Sequence, residues 1–449
     1  MNLACPPFPM RQRRDLPATP ALPGSIQTLA CRWIPLGFFE WCRQTLGDRF
    51  TLYPIDMQPV VFLSHPGDVR AVLQAPSSVL HPGAGGSALG PIVGAHSFML
   101  READEHMQGR RAITPAFSMT ALERHTRTLS EIVDAEVASW PLDRPFPVHP
   151  RLRSMSLRIV LSTVFRESPA KLQALHDHML KMLDVTASFA LVEPRLRKLP
   201  PWRTIWRRFE REREYVDHEI RTLIERGRAI PSGDDVLARL LAAHNPDGSP
   251  MTPTQVRDNL VSLLLAGHET TASEISWALQ LLAHNPNIQA RLAAEISAGG
   301  DAYMNATVAE VLRHRPVFLF AIPRIVAEPI EIRGWTYRPP AQLLACVYLL
   351  HHDSALYSDP HVFRPERFLS DGPRASEWLP WGGGRKRCPG HRLATFEMRA
   401  VLRAALAANT VTPASRFMER ARWRSVIVTP SRGGRVLLRR RHASASTGA

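Results

Sequence analysis

A chain of 449 residues, 45% hydrophobic and 22% charged, has the composition of an ordinary soluble globular protein and can bury a large core without disulfide staples. Its formal charge of +15 favours an acidic partner, whether nucleic acid, an anionic membrane or an acidic protein, and says nothing about fold. Its cysteines, Cys5, Cys31, Cys42, Cys346 and Cys388, include no Cys-x-x-Cys pair, which argues against a four-cysteine zinc site and a disulfide framework and points to a reducing compartment.

Residues 1–24, rich in Pro and Arg, read as a flexible lead that fits neither a secretory signal nor an anchor. No segment reaches the roughly 18 consecutive apolar residues of a spanning helix. The expectation is a cytoplasmic protein, with peripheral contact to a membrane left open. Short strands are predicted at 50–53 and 60–63, and the Gly- and Pro-rich stretch 81–94 predicts a loop. Helical spacing follows over 105–114, 121–140, 158–165 and 171–191. A Thr252-Pro253 start signal opens the longest predicted helix, 254–283, which closes at Asn285-Pro286. Another helix covers 303–314 and stops before Pro316. A strand is expected at 330–333, and a last helix from just after Cys388 to 408. The fold class is therefore mainly α with small β-sheets in a single large domain, 25–435. The basic, Ser/Ala-rich residues 436–449 read as a frayed tail.

The most informative segment is Trp381-Gly382-Gly383-Gly384-Arg385-Lys386-Arg387-Cys388-Pro389-Gly390. Its glycines allow close approach of the backbone. Three cations surround the thiol and a helix start follows, with Pro389 suited to its first position; both features favour a thiolate. A lone thiolate is a poor zinc site but a good axial ligand for heme iron, and free amide groups in the loop can hydrogen-bond its sulfur. The bland alternative is an inert buried cysteine after a Gly-rich turn.

The long predicted helix carries Ala266-Gly267-His268-Glu269-Thr270-Thr271 after an apolar run. Gly267 can admit a ligand against the backbone, and Thr270 can bond to a carbonyl one turn back and loosen the helix. A hydroxyl beside a carboxylate makes Glu269 and Thr270 a proton relay to bound oxygen. The plainer reading puts Glu269 on a solvated face. Glu310 and Arg313, three apart, share a helix face, and Arg367 could complete a buried set with them.

Together these motifs resemble the cytochrome P-450 superfamily, the heme-thiolate monooxygenases. In the cysteine segment Gly384, Cys388 and Gly390 match the family pattern, with Trp381 where Phe is usual and Lys386 where Arg is usual. The resemblance spans roughly 50–435 and implies one helical domain holding heme b, with Cys388 as the axial iron ligand. It implies that Glu269 and Thr270 deliver protons, with Gly267 beside the heme. Glu310, Arg313 and Arg367 become a structural set behind the cysteine loop. His106 and Arg110 resemble a propionate-binding pair, joined by Arg324, with Arg385, Arg387 or Lys386 supplying a further contact and His351 a weaker one. The implied partners are dioxygen, a lipophilic small molecule, and a ferredoxin or flavodoxin whose reductase draws on NAD(P)H. The reaction expected is hydroxylation or epoxidation. Desaturation, oxidative coupling and peroxygenase chemistry are alternatives within the same motifs. The stretch 81–94 and the region near Phe189 are expected to line the substrate pocket.

Residues 195–214 hold eight basic and three acidic residues, interleaved with Trp202, Ile205 and Trp206. The stretch reads either as a solvated helix with pairs such as Arg208–Glu212 or as a membrane-surface or substrate-entry patch. The cations elsewhere are dispersed and no nucleic-acid-binding module is evident, so no nucleic acid is expected.

Overall fold

The structure is a computed structural model that describes residues 15–54, 58–165, 167–186, 198–229, 235–339, 341–370, 372–424 and 426–441. Helices of ten residues or more are α1 (Gly24–Trp33), α2 (Pro35–Leu46), α3 (Ala103–Ile113), α4 (Met119–Ala138), α5 (His149–Phe165), α6 (Gln173–Thr186), α7 (Trp202–Ala229), α8 (Pro253–His284), α9 (Pro286–Ser297), α10 (Ala302–His314) and α11 (His391–Ala408). The strands are β1 (Arg49–Leu52), β2 (Val60–Leu63), β3 (Leu80–His81), β4 (Phe146–Pro147), β5 (Arg324–Val326), β6 (Ile330–Ile332), β7 (Trp335–Tyr337), β8 (Gln342–Ala345), β9 (Asn409–Pro413), β10 (Ala421–Arg424), β11 (Ile427–Pro430) and β12 (Arg435–Arg440).

The pillar of the molecule is α8. It begins at a reciprocal cap: the Thr252 hydroxyl accepts the Gln255 N–H while the Gln255 side chain accepts the Thr252 N–H, with Pro253 in the first turn. Its second half is buried all round, through Ile275, Trp277, Ala278, Leu279, Leu281 and Leu282. Such a helix has to be wrapped by others. Along it lies α5, itself almost wholly buried, and α11 closes the other side against α8 and α4.

The sheets sit at the edge of this helical body. The largest has the order β1-β2-β8-β5-β3, and its β2/β8 pairing is parallel, with Val60 opposite Gln342. A second sheet is β4-β12-β9, and β6/β7 and β10/β11 are hairpins. The β10/β11 hairpin reaches back to α8, which places Arg424, Val426 and Ile427 beside the cavity.

Three expectations are corrected. The lead is not loose up to residue 24. Leu16 packs against the β-sheet core, and the Thr51 N–H donates to the Ala18 carbonyl. The supposed tail from 436 is strand through Arg440: Val436 and Leu438 alternate inward and pair with β9 and β4, a period-two pattern hidden by the flanking arginines. The stretch 81–94 is not open loop but three short helical turns, Pro82–Gly85, Ser87–Leu89 and Gly90–Val93, begun by Pro82 and Pro91.

Candidate active site

The cysteine loop and the middle of α8 line one cavity. The Cys388 N–H donates to the Trp381 carbonyl at 2.9 Å, closing the loop on itself. Gly384 is required twice over. Its φ is +62°, and a Cβ there would lie 2.2 Å from the Leu73 carbonyl oxygen. Cys388 lines a cavity whose opposite wall is one face of α8: Leu263, Ala266, Gly267, Thr270 and Glu274. Of the described cysteines, only Cys388 touches that cavity.

The helix after the cysteine starts later than its spacing suggested. It begins at His391 with Gly390 as its cap, so Pro389 lies outside it. Burial pushes the Cys388 thiol up, against the Gly390 N–H and the charges of Arg110 and Arg387. The cations and the loop amide oppose that burial, as the sequence suggested, and a metal bond at the sulfur would favour the thiolate further.

On α8 the Thr270 hydroxyl donates to the Ala266 carbonyl at 2.7 Å, as its spacing predicted. Gly267 lines the cavity, but its missing side chain serves packing: a Cβ would stand 2.6 Å from Val160 Cγ2 on α5. Glu269 is not on a solvated face. Its carboxylate meets Arg153 Nε at 2.5 Å, Arg424 Nε at 2.7 Å and His149 Nε2 at 3.3 Å, and both arginines also hold Asp184. Burial disfavours its charge, but the His149 and His268 contacts and Arg153 outweigh that and hold the carboxyl well below its ordinary range. Among the described residues no hydrogen bond joins Glu269 to Thr270. The carboxylate is clamped sideways while the hydroxyl faces the cavity.

The predicted cations divide. Arg110, Arg324, Lys386 and His106 all line the cavity, whereas Arg385 and Arg387 are exposed and do not. His351 is fully buried elsewhere, accepting the Leu379 N–H on Nε2. The rim cations rest on carbonyl oxygens. Arg110 donates to Arg387 O, Arg324 to Ile322 O at 2.6 Å, and Lys386 to Met99 O and Arg101 O at 3.1 and 2.7 Å. His106 bridges Phe98 O and Arg385 O, at 2.7 Å from Nδ1 and 3.1 Å from Nε2. Burial draws Arg324 down to about 10 and Lys386 to about 8, opposed in both by Glu102. Arg324, buried, and Arg110 and Lys386, half-buried, are cations held mainly by dipoles, while burial draws His106 toward its neutral form; such a set can seat an anion. Between them and the thiol lies a slot walled by Phe98, Leu263, Trp381 and Leu393. A flat apolar group with anionic arms and a metal that takes one sulfur fits this donor set.

Glu310, Arg313 and Arg367 meet as expected. Arg313 gives Nε and Nη2 to the two oxygens of Glu310 at 2.7 and 2.9 Å, and Arg367 Nε lies 3.1 Å from Oε2. Arg313 also donates to His351 O at 2.7 Å, fastening α10 to the segment before the cysteine loop. In the basic stretch Trp206 leans on Phe209 and donates to Glu210, and Glu212 pairs with His178 rather than Arg208. Phe189 and residues 195–197 lie outside the described residues. Of the stretch 81–94, Leu89 reaches the cavity.

Sequence reasoning missed two carboxyls on the cavity wall, Glu274 and Glu397. Glu397 lies between Phe396 and Met398, nine residues after Cys388, and Glu274 falls one helical turn after Thr270; those spacings are the signal that could have found them. The clamp residues His149, Arg153 and Arg424 carry no comparable local signal.

One mainly helical domain with a cavity between a lone cysteine and a polar turn of its central helix belongs to the class of heme-dependent oxidoreductases. Residues 17–438 match the family model described as Cytochrome P450. A relative named cytochrome P450 135B1, of Mycobacterium tuberculosis (strain ATCC 25618 / H37Rv), is 35% identical over 436 residues, covering 94% of this chain and 91% of its own. Cytochrome P450 137 of the same strain is 32% identical over 398 residues, 88% and 83% of the two chains. The retinoic acid-bound structure of cyanobacterial CYP120A1 superposes with a TM-score of 0.82 at 21% identity, over 96% of this chain and 100% of that one. The chain belongs to the cytochrome P450 family. It is a heme-dependent monooxygenase that uses heme b and receives electrons from NAD(P)H through a redox partner. Among the described residues no helix is long and apolar enough to cross a membrane.

Proposed function

We propose that the enzyme inserts one atom of dioxygen into a lipophilic organic substrate by hydroxylation or epoxidation, with Cys388 as the axial ligand of the heme iron. The observation that carries this reading is the single thiol on an apolar cavity, set opposite the Thr270 turn of α8. When bound, thiolate-ligated heme supplies the reductive activation of dioxygen. His106, Arg110, Arg324 and Lys386 would hold its carboxylates, and Trp381 of the cysteine loop would line its site. Thr270 Oγ1, resting on Ala266 O, is the hydroxyl placed to pass a proton into the cavity. Glu269, held as an anion between Arg153 and Arg424, ties that turn to α5 and to the β10/β11 hairpin. Leu89, Phe98, Leu263, Phe318, Phe320 and Val426 exclude water and favour an apolar substrate.

Electrons come from a separate acidic carrier, a ferredoxin or flavodoxin. Arg111, Arg385, Arg387 and Arg392 are exposed and close in sequence to the cavity cations or the thiol, which suits electrostatic docking on that side. The test is the reduced, carbon-monoxide difference spectrum of the purified holoenzyme beside Cys388→Ser. A thiolate-type band is expected in the parent and its loss in the variant. A parent without that band, or a variant that keeps it, refutes the assignment.

A further inference from the structure

The face of α8 that carries Gly267 and Thr270 bears a third polar residue. Glu274 follows Thr270 by four positions, roughly 6 Å further along the same face. Around it the helix is buried: Ala272, Ile275, Ala278 and Leu279 are apolar, and the Ser273 and Ser276 hydroxyls donate to the Glu269 and Ala272 carbonyls. Glu274 is 4% exposed and contributes to the cavity wall next to Val317 and Ile427. Its Oε1 accepts the Val317 N–H at 3.0 Å, and Oε2 has no partner among the described residues. Both oxygens of Glu269 are met by arginines, whereas Glu397 on the same cavity wall, like Glu274, leaves one oxygen unpartnered among the described residues. Burial pushes the Glu274 carboxyl well above its ordinary range, with only the Val317 N–H opposing. Because Oε1 already accepts, the proton belongs on Oε2, and that O–H meets no acceptor of the protein. A buried donor without an acceptor is costly, whereas Leu or Met would fill the same space at no such cost. Oε2 itself is shut off from the cavity, so the acceptor is met only when a bound molecule draws the Glu274 side chain toward the cavity it lines.

We infer that Glu274 recognises a carbonyl oxygen on an otherwise apolar substrate through Oε2, and so sets which part of that substrate lies beside Thr270. The inference rests on the monooxygenase reading and names the class of substrate it acts on: lipophilic ketones and related carbonyl compounds. A hydrocarbon leaves the donor unpaired. A primary amine of the same skeleton would instead take the proton and pair with a carboxylate.

The experiment uses heme-loaded enzyme and a graded series of cyclic ketones, monoterpenoid to steroid, each with its parent hydrocarbon and matching primary amine. Dissociation constants come from equilibrium dialysis, without turnover. At least one ketone is expected to bind about tenfold or more tightly than its hydrocarbon. Glu274→Leu is expected to bring that ratio to about one by weakening the ketone alone, and Glu274→Gln, whose amide N–H can donate, to keep most of it. The infrared difference between parent and Glu274→Gln should contain the stretch of a protonated carboxyl, displaced when the ketone binds; Glu397→Gln identifies the separate band of Glu397. The proposal is overturned if no ketone in the series outbinds its hydrocarbon, if Glu274→Leu keeps the preference, or if amines bind best and owe that to Glu274. The carbon-monoxide spectrum of the same samples separates the two readings. A missing thiolate band with the ketone preference intact defeats the heme-ligand assignment alone, and the reverse defeats the Glu274 assignment alone.

Discussion

Arg313 is wholly buried, and its charge is matched by Glu310 on one side and by the His351 carbonyl on another, with the Tyr357 ring 5.1 Å from its guanidinium carbon. Desolvating both ions is expensive, so the pair contributes more to specifying how α10 meets the cysteine loop than to net stability. Breaking it is another matter. Glu310→Ala strands the Arg313 charge in the core and is expected to cost about 3–5 kcal/mol. Arg127→Ala removes the Arg127–Glu131 pair, whose side chains are 92% and 64% exposed. That change is expected to cost about 0–1 kcal/mol. Chemical unfolding of the two variants checks the contrast, and equal midpoints would contradict it. The Glu310–Arg313 pairing was readable because three residues on a helix fix the geometry locally. The Glu269 clamp was not readable: its partners stand on α5 and on the β10/β11 hairpin, and only packing brings them together. The Thr270 bond to the Ala266 carbonyl was legible for the same local reason as the Glu310–Arg313 pair, whereas the cavity that Thr270 shares with Cys388 is a product of packing. Which neighbouring cation faces the cavity was not legible either, because Arg385, Lys386 and Arg387 differ only in how a short 3-10 turn aims them.

At the scale of elements, pattern and capping predicted α8 to within a residue at each end, since its cap, its proline and its apolar body all agree. The parallel β2/β8 pairing joins segments far apart in sequence, and β12 is a strand whose inward side chains alternate with arginines. Neither had a local signature strong enough to outweigh composition. The cysteine loop lies between these cases, because its shape depends on a contact with a distant turn. Gly384→Ala puts an L-residue at φ +62° and drives its Cβ into the Leu73 carbonyl. The backbone term alone costs about 1–2 kcal/mol, and a backbone oxygen cannot step aside as a side chain could. The variant is expected to fold with α8 intact yet retain little heme. Gly248→Ala is the control: φ is +82° there, but nothing lies within 4 Å of the new Cβ. Heme content per chain after purification measures the difference. Full loading of Gly384→Ala would mean that the loop does not need this close approach.

For the whole molecule, buried groups of opposite kind set the pH at which the fold is most stable. His314, His351 and His352 cluster where α10 meets residues 347–352. Burial holds all three neutral, drawing His314 down to about 2, His351 to about 3 and His352 well below its ordinary value. The unfolded chain protonates them near pH 6.5 and the folded chain does not, so their contribution is complete above that pH and is lost as pH falls. Each imidazole accounts for about 1.4 kcal/mol per pH unit. The buried carboxyls act in the opposite sense. Burial pushes Glu397 up to about 8 and Glu274 well above its usual value, so the folded state keeps protons that the unfolded state gives up near pH 4.5. Their contribution is complete below that pH and declines as pH rises, through about 8 for Glu397. Glu269, held low, adds acid sensitivity only below about pH 4.5. Burial also draws down His106, His149 and His391, so lowered imidazoles outnumber the two raised carboxyls and the stability maximum lies between about pH 6 and 7. Denaturant midpoints of the holoenzyme between pH 5 and 8 are expected to peak there. In Glu397→Gln, where the Ser156 hydroxyl can still donate to the side-chain oxygen, the decline from pH 6.5 to 8 should shrink, the rise from pH 5 to 6 should steepen, and the maximum should move to higher pH. A parent whose stability climbs steadily through pH 8, or a Glu397→Gln profile with an unchanged alkaline decline, would show that the buried carboxyl does not govern that side.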